Sequence, residues 1–171
     1  MSALLIGYRG CGKTTIGRKL ADRLWQQFVD IDELIVKEAG KSIKDIFEQD
    51  GEPAFRDFEE KALKQALALS EHVVSLGGGS VLRDSNRNAI KASGRKVIYL
   101  KCTPAELHKR IEADPQTAAM RPSLTHLGGS VEEIEKLLAE REPLYRQIMS
   151  SELDVTRLTP EEAVVHIVRM I

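Results

Sequence analysis

The chain lacks most features that would place it in a specialised class. It has two cysteines, Cys11 and Cys102, in 171 residues, too few for a disulfide framework. Aromatic residues make up 5%, with one tryptophan. No apolar run approaches the ~20 residues of a membrane-spanning helix. Net charge is −1, from 25 basic and 26 acidic residues. No global field therefore draws the chain to nucleic acid or to an anionic membrane, and neither is expected as a partner. A basic segment followed by a secretory apolar stretch is missing, which predicts a cytoplasmic protein. Internal repeats, linkers and low-complexity tracts are missing too. What remains is an ordinary soluble composition, 42% apolar and 30% charged. It suffices for one domain over 1–171, expected to be a monomer.

The most informative stretch is Gly7-Tyr8-Arg9-Gly10-Cys11-Gly12-Lys13-Thr14. A glycine, four residues and Gly-Lys-Thr follow directly on the apolar run Ala3-Leu4-Leu5-Ile6. Such a loop turns successive backbone N–H groups onto a polyphosphate, while Lys13 adds charge and the Thr14 hydroxyl suits Mg²⁺. A helical pattern at Ile16, Leu20 and Leu24 follows. Its positive end faces the same anion.

Short apolar strands alternate with amphipathic helices. Strands are expected over 3–6, 28–31, 73–76, 97–100 and 153–155, which predicts an α/β protein with a parallel sheet covered on both faces. Ser42 with Asp45, Thr103 with Glu106, Ser130 with Glu133, and Thr159 with Glu162 resemble capping boxes. Gly40 and Gly94 stand where helices should stop. Phe55, Phe58, Ala62, Leu63, Ala66 and Leu67 form one helix face. Residues 113–124, with two prolines and one arginine, have little periodicity and read as a lid or as a plain connector.

Four further groups carry chemistry. Asp30-Ile31-Asp32 ends the second strand, and an extended chain would project both carboxylates to one side. One suits water-mediated Mg²⁺ binding and the other suits a hydroxyl proton; a solvated strand end would look the same. Arg56 and Glu59 lie one helical turn apart, either a surface ion pair or a fixed carboxylate reader. The strand Val73-Val74-Ser75-Leu76 opens onto Gly77-Gly78-Gly79, where backbone can approach a ligand closely. Ser75 stands where a second Mg²⁺ contact is often supplied. Arg110, Arg121, Arg141 and Arg157 are candidates for spreading transition-state charge, and periodicity does not choose among them.

In this order and spacing the motifs resemble the shikimate kinases, small P-loop kinases of the nucleoside-monophosphate-kinase type. The matching parts are Gly10-Cys11-Gly12-Lys13-Thr14-Thr15, Asp30-x-Asp32, Phe55-Arg56-x-x-Glu59, Leu76-Gly77-Gly78-Gly79, Arg121-Pro122 and Arg141-x-Pro143-Leu144-Tyr145. The resemblance implies a three-layer α/β/α P-loop kinase fold with a five-stranded parallel sheet, order 2-3-1-4-5. It implies a shikimate-binding region over about 31–61 and a lid over about 112–125. It implies transfer of the ATP γ-phosphate to the shikimate 3-hydroxyl, in aromatic amino-acid biosynthesis.

By the same resemblance Gly10, Cys11, Gly12, Lys13, Thr14 and Thr15 hold the ATP phosphates. Thr14 and Asp30 serve Mg²⁺. Asp32 binds shikimate hydroxyls and is the candidate base. Arg56 and Arg141 take the carboxylate, Glu59 orients Arg56, and Gly78 offers its amide. Arg121 closes onto the transferring phosphate, and Arg110 and Arg157 lie near adenine. Lys13, Asp32 and Arg121 are thus the expected catalytic set.

Cys11 departs from the small non-thiol residue expected in that loop. It is either an activated thiolate shielded by nucleotide or a thiol buried beneath the loop. Rival functions are a kinase for another hydroxylated metabolite, such as gluconate or a nucleoside monophosphate, and a nucleotide switch. The first would need a different acceptor pocket. The second would need partner-facing segments and a γ-phosphate sensor.

Overall fold

The computed structural model describes residues 2–114 and 129–171. Five strands form one parallel sheet: β1 (Ala3–Ile6), β2 (Gln27–Asp30), β3 (His72–Ser75), β4 (Lys96–Lys101) and β5 (Ser151–Asp154), in the order β2-β3-β1-β4-β5. This is the expected order. β1 is central, and all four of its residues are buried. Leu4 faces Val74 on one side and Val97 on the other. A strand flanked and covered in this way tolerates only apolar side chains, hence the unbroken run.

Eight helices are described: α1 (Lys13–Leu24), α2 (Ile31–Ala39), α3 (Ile43–Gln49), α4 (Gly51–Ala68), α5 (Asp84–Ala92), α6 (Pro104–Ala113), α7 (Val131–Ile148) and α8 (Pro160–Val168). Right-handed crossovers sort them. The β1-to-β2 connection runs one way along the sheet and the later ones run the other way. This puts α1 on one face, and α4, α5 and α7 on the opposite face. α8 returns to pack on α1. The direction of travel therefore reverses beside β1, and such a switch point opens a crevice at the strands' carboxyl ends.

Local signals hold, with Thr103 and the boundaries of four strands corrected: the fourth strand runs one residue further at each end than expected, and the fifth covers 151–154 rather than 153–155. Ser42, Ser130 and Thr159 cap α3, α7 and α8, and Thr159 with Glu162 completes a reciprocal box. Thr103 makes no side-chain cap; its backbone N–H donates to Thr156 Oγ1 instead. The second strand stops at Asp30 rather than 31. The third starts and stops one residue earlier than expected, at His72 and Ser75. Gly40 and Gly94 both adopt positive φ after helices. α1 ends on Trp25, a left-handed residue at φ 57° that is 97% exposed. Positive φ is uncommon for so bulky a side chain.

Candidate functional site

The loop between β1 and α1 sits at the switch point. Gly12 is the N-cap of α1 at φ 96°, a conformation that a Cβ would strain. Thr14 and Thr15 are exposed at the helix start and line a large cleft with Gly10, Gly12 and Lys13. Lys13 Nζ donates to the carbonyls of Gly7 (2.7 Å) and Tyr8 (2.9 Å) and lies 3.6 Å from Cys11 Sγ. The ammonium is thus held by its own loop. Cys11 is fully buried, so the burial reading holds for its thiol. Only its backbone is left to face a ligand.

Asp30 and Asp32 are brought together by a geometry different from the expected one. They are not alternate residues of a strand. Asp30 is the N-cap of α2, and its Oδ1 accepts from Asp32 N–H at 2.9 Å. Its other oxygen accepts from Thr14 Oγ1 at 2.8 Å. Asp32 sits in the first helical turn. Acidic residues are favoured at both positions, because a helix N-terminus is electropositive. Thr14 and Asp30 are hard oxygen donors side by side, and Mg²⁺ is commonly held by one or two such groups plus substrate phosphates. No cluster of three or more metal-ligating side chains occurs among the described residues, in keeping with that mode rather than a protein cage. The residues present fit the ion.

The triple glycine forms one wall of a second, smaller pocket, with Tyr8, Asp32, Phe47, Phe55, Arg56 and Arg141 among its lining. Arg56 is no surface charge. Its Nη1 donates to Glu59 Oε2 at 2.7 Å, and the two side chains are 10% and 1% exposed. The partly exposed Glu52 accepts from its other nitrogens. Glu59 also accepts from Ser80 Oγ at 2.8 Å, and Asn86 Nδ2 donates to the Ser80 carbonyl. A buried charge is tolerated only when paired and hydrogen-bonded, and this chain supplies both. A Cβ on Gly79 would lie 2.4 Å from Arg56 Nη1, so glycine there makes room for the guanidinium.

Arg141, on α7, is buried as well. Its guanidinium carbon lies 5.6 Å from the centre of the Tyr8 ring. One turn on, Tyr145 donates its hydroxyl to the Gly78 carbonyl at 2.6 Å. Burial raises the Tyr145 phenol pKa far above its usual range, and the adjacent Arg141 pulls it back in part. The Tyr8 phenol is raised too, by burial, with Arg141 and Arg9 opposing.

Arg110 lines the large cleft. Its Nε donates to Glu106, and its Nη2 donates to the carbonyls of Val155 (3.0 Å) and Thr156 (3.2 Å). Ile111, Leu158 and Pro160 give that end apolar walls. Arg157 is exposed beyond β5 and is not among the lining residues. Ser75, buried at the end of β3, does line the cleft. Arg121 and most of the expected lid lie outside the described residues.

The two pockets abut. Arg9, Asp32, Ile43 and Gly78 line both, so Asp32 stands between the phosphate loop and the paired arginines. Sequence reasoning did not single out Tyr8, Arg9, Phe47, Ser80 or Asn86, and it gave Tyr145 no role. The only local hint was Tyr145 standing four residues after Arg141, on the same helix face.

The shikimate kinase family model matches residues 9–171. A shikimate kinase from Rhodopirellula baltica is 40% identical over 165 residues, covering 96% of this chain and 87% of that protein. One from Thermobifida fusca is 41% identical over 161 residues, 94% and 89% of the two chains. Among solved structures, the shikimate kinase of Acinetobacter baumannii in complex with shikimate superposes with a TM-score of 0.88. It is 29% identical, with 99% of this chain and 91% of that one covered. The Aquifex aeolicus shikimate kinase gives 0.82 at 30% identity, covering 99% and 95%.

Proposed function

The chain belongs to the shikimate kinase family, and from that premise we propose how its own residues carry the reaction. The activity is ATP-dependent phosphorylation of shikimate: the γ-phosphate moves to the 3-hydroxyl, giving shikimate 3-phosphate and ADP. The observation that best supports the residue assignment is the single continuous cleft. Its phosphate loop and its buried arginine–glutamate pair meet at Asp32.

Main-chain amides of 10–15 and the Lys13 ammonium hold the ATP phosphates. To do so Lys13 exchanges the Gly7 and Tyr8 carbonyls for phosphate oxygens. Thr14 and Asp30 would hold Mg²⁺, which screens the charge building on the phosphates. Arg56 and Arg141 bind the shikimate carboxylate, and the Gly78 amide and Asp32 hold the ring. The 3-hydroxyl oxygen bonds to the γ-phosphorus as the bond to the bridging β–γ oxygen breaks. The hydroxyl proton passes to Asp32, and ADP carries away the electron pair. Positioning and charge neutralisation supply most of the acceleration. Arg121 closes over the transferring group, and Arg110, which lines the cleft, lies by adenine; Arg157 stands outside that lining.

The chain works as one kinase domain, a cytoplasmic monomer without a nucleic-acid partner. None of its described helices is long and apolar enough to cross a membrane. A coupled ADP-release assay with shikimate, gluconate and AMP in parallel tests the acceptor, with turnover expected for shikimate. Asp32→Asn should lower kcat by about 10²-fold or more while the KM for ATP holds. Near-normal kcat would refute Asp32 as the base.

A further inference from the structure

Tyr145 is fully buried, with its ring 5.0 Å from that of Tyr99. Phenylalanine would fill the same space. A hydroxyl in such surroundings costs free energy unless it is used. This one donates to the Gly78 carbonyl at 2.6 Å, across 67 residues of sequence. Gly78 in turn lies beside Arg141: a Cβ on it would stand 3.5 Å from Arg141 Nη1. The bond thus ties α7 to the triple-glycine wall one turn from Arg141.

We propose that Tyr145 is a positioning residue for the acceptor site, setting Arg141 and the Gly78 peptide together through its hydroxyl. A trans peptide is planar, so holding the Gly78 carbonyl on α7 turns the Gly79 N–H to the opposite side. Neither the Gly78 nor the Gly79 amide donates to the backbone of another described residue. The Tyr8 ring lies against Arg141, and the Tyr145 bond holds the helix that carries Arg141 against Gly78. The guanidinium and the Gly78 peptide are thereby presented together before substrate arrives. The inference rests on the reading of Arg141 and Gly78 as acceptor contacts.

The test is Tyr145→Phe, with Tyr99→Phe as the control from the other ring of the stacked pair. Steady-state kinetics should show the KM for shikimate raised about tenfold, the loss expected when a buried carbonyl is left without its donor. The KM for ATP should stay within about twofold, and Tyr99→Phe should leave both unchanged. In an Arg141→Ala background the added effect of Tyr145→Phe should shrink to less than about twofold, because the two residues act as one unit. An unchanged KM for shikimate in folded Tyr145→Phe protein overturns the proposal. So does an equal rise in the two KM values, or full additivity with Arg141→Ala. If Tyr145→Phe melts too early to assay, shikimate binding by calorimetry at low temperature gives the same comparison. An Arg141→Ala enzyme with unaltered KM for shikimate would instead remove the carboxylate assignment of Arg141, and the proposal with it.

Discussion

The two ends of the cleft are built by opposite means. At the proposed phosphate end the main chain is the binder. The loop offers amides, its Lys13 ammonium rests on the loop's own carbonyls, and Thr14 is exposed. At the acceptor end side chains do the work, and most are buried: Arg56 on Glu59, Glu59 on Ser80, Ser80 on Asn86, and Tyr145 on Gly78. At the first end the cation must exchange its carbonyl partners when the anion arrives. The second is assembled in advance. A polyphosphate needs many donors and little shape, whereas one small cyclic acid must be told from others, and specificity comes from fixed polar groups.

Removing a side chain should therefore mean different things at the two ends. Lys13→Ala should have the largest effect, lowering kcat by about 10²–10³-fold, the scale of losing a preorganised electrostatic contact. Its melting temperature should move by only a few degrees, because the partners it leaves are neutral carbonyls at a cleft and not a buried charge. A large drop in stability would erase the contrast. Arg56→Ala comes next. It should raise the KM for shikimate about 10–100-fold with little change for ATP. It should also destabilise the fold by about 3–5 kcal/mol, since Glu59 is left as a buried, unneutralised charge. Adding Glu59→Gln should restore part of the melting temperature and none of the affinity. Calorimetry and kinetics on the two variants separate the effects.

The smallest effect belongs one residue further along α4, on its outer side. Lys64 and then Arg83 hydrogen-bond the Glu60 carboxylate and hold its pKa down to about 2 from an ordinary 4.5. The folded-state pKa is depressed, so the stabilisation is fully present above pH 4.5 and fades as the pH falls towards about 2. Glu60→Gln should lower the melting temperature by a few degrees at most at neutral pH. The gap from the parent should narrow between pH 4.5 and 2, with turnover untouched at neutral pH. A gap that widened on acidification would reverse the sign argued here.

The same contrast marks what was legible in the chain. The phosphate loop is contiguous, and its spacing is its mechanism, so it could be found from residues 7–14 alone. Strand positions followed from the apolar runs to within two residues, the edge strand β5 being furthest off. The order of the strands came with the family resemblance. The acceptor end is assembled from the loops after β1 and β3 and from α2, α3, α4 and α7, and no local pattern marks Ser80 as a partner of Glu59 or Asn86 as a partner of Ser80. Asp30-x-Asp32 was read correctly as a carboxylate pair and wrongly as strand geometry. The helix begins at Ile31, and a capping aspartate looks like a strand-end aspartate until the hydrogen bond is seen. Cys11 was ambiguous for a related reason: the loop's path, not its composition, turns the thiol inward.

Trp25 carries a practical consequence. The chain's sole indole already stands in water, so its emission should barely shift when the protein is denatured. Fluorescence from the native sequence is close to blind to denaturation, and circular dichroism must follow it instead. The same blindness is useful. A second indole engineered at Phe47, on the wall of the acceptor pocket, would glow against a constant background and report the arrival of substrate by itself.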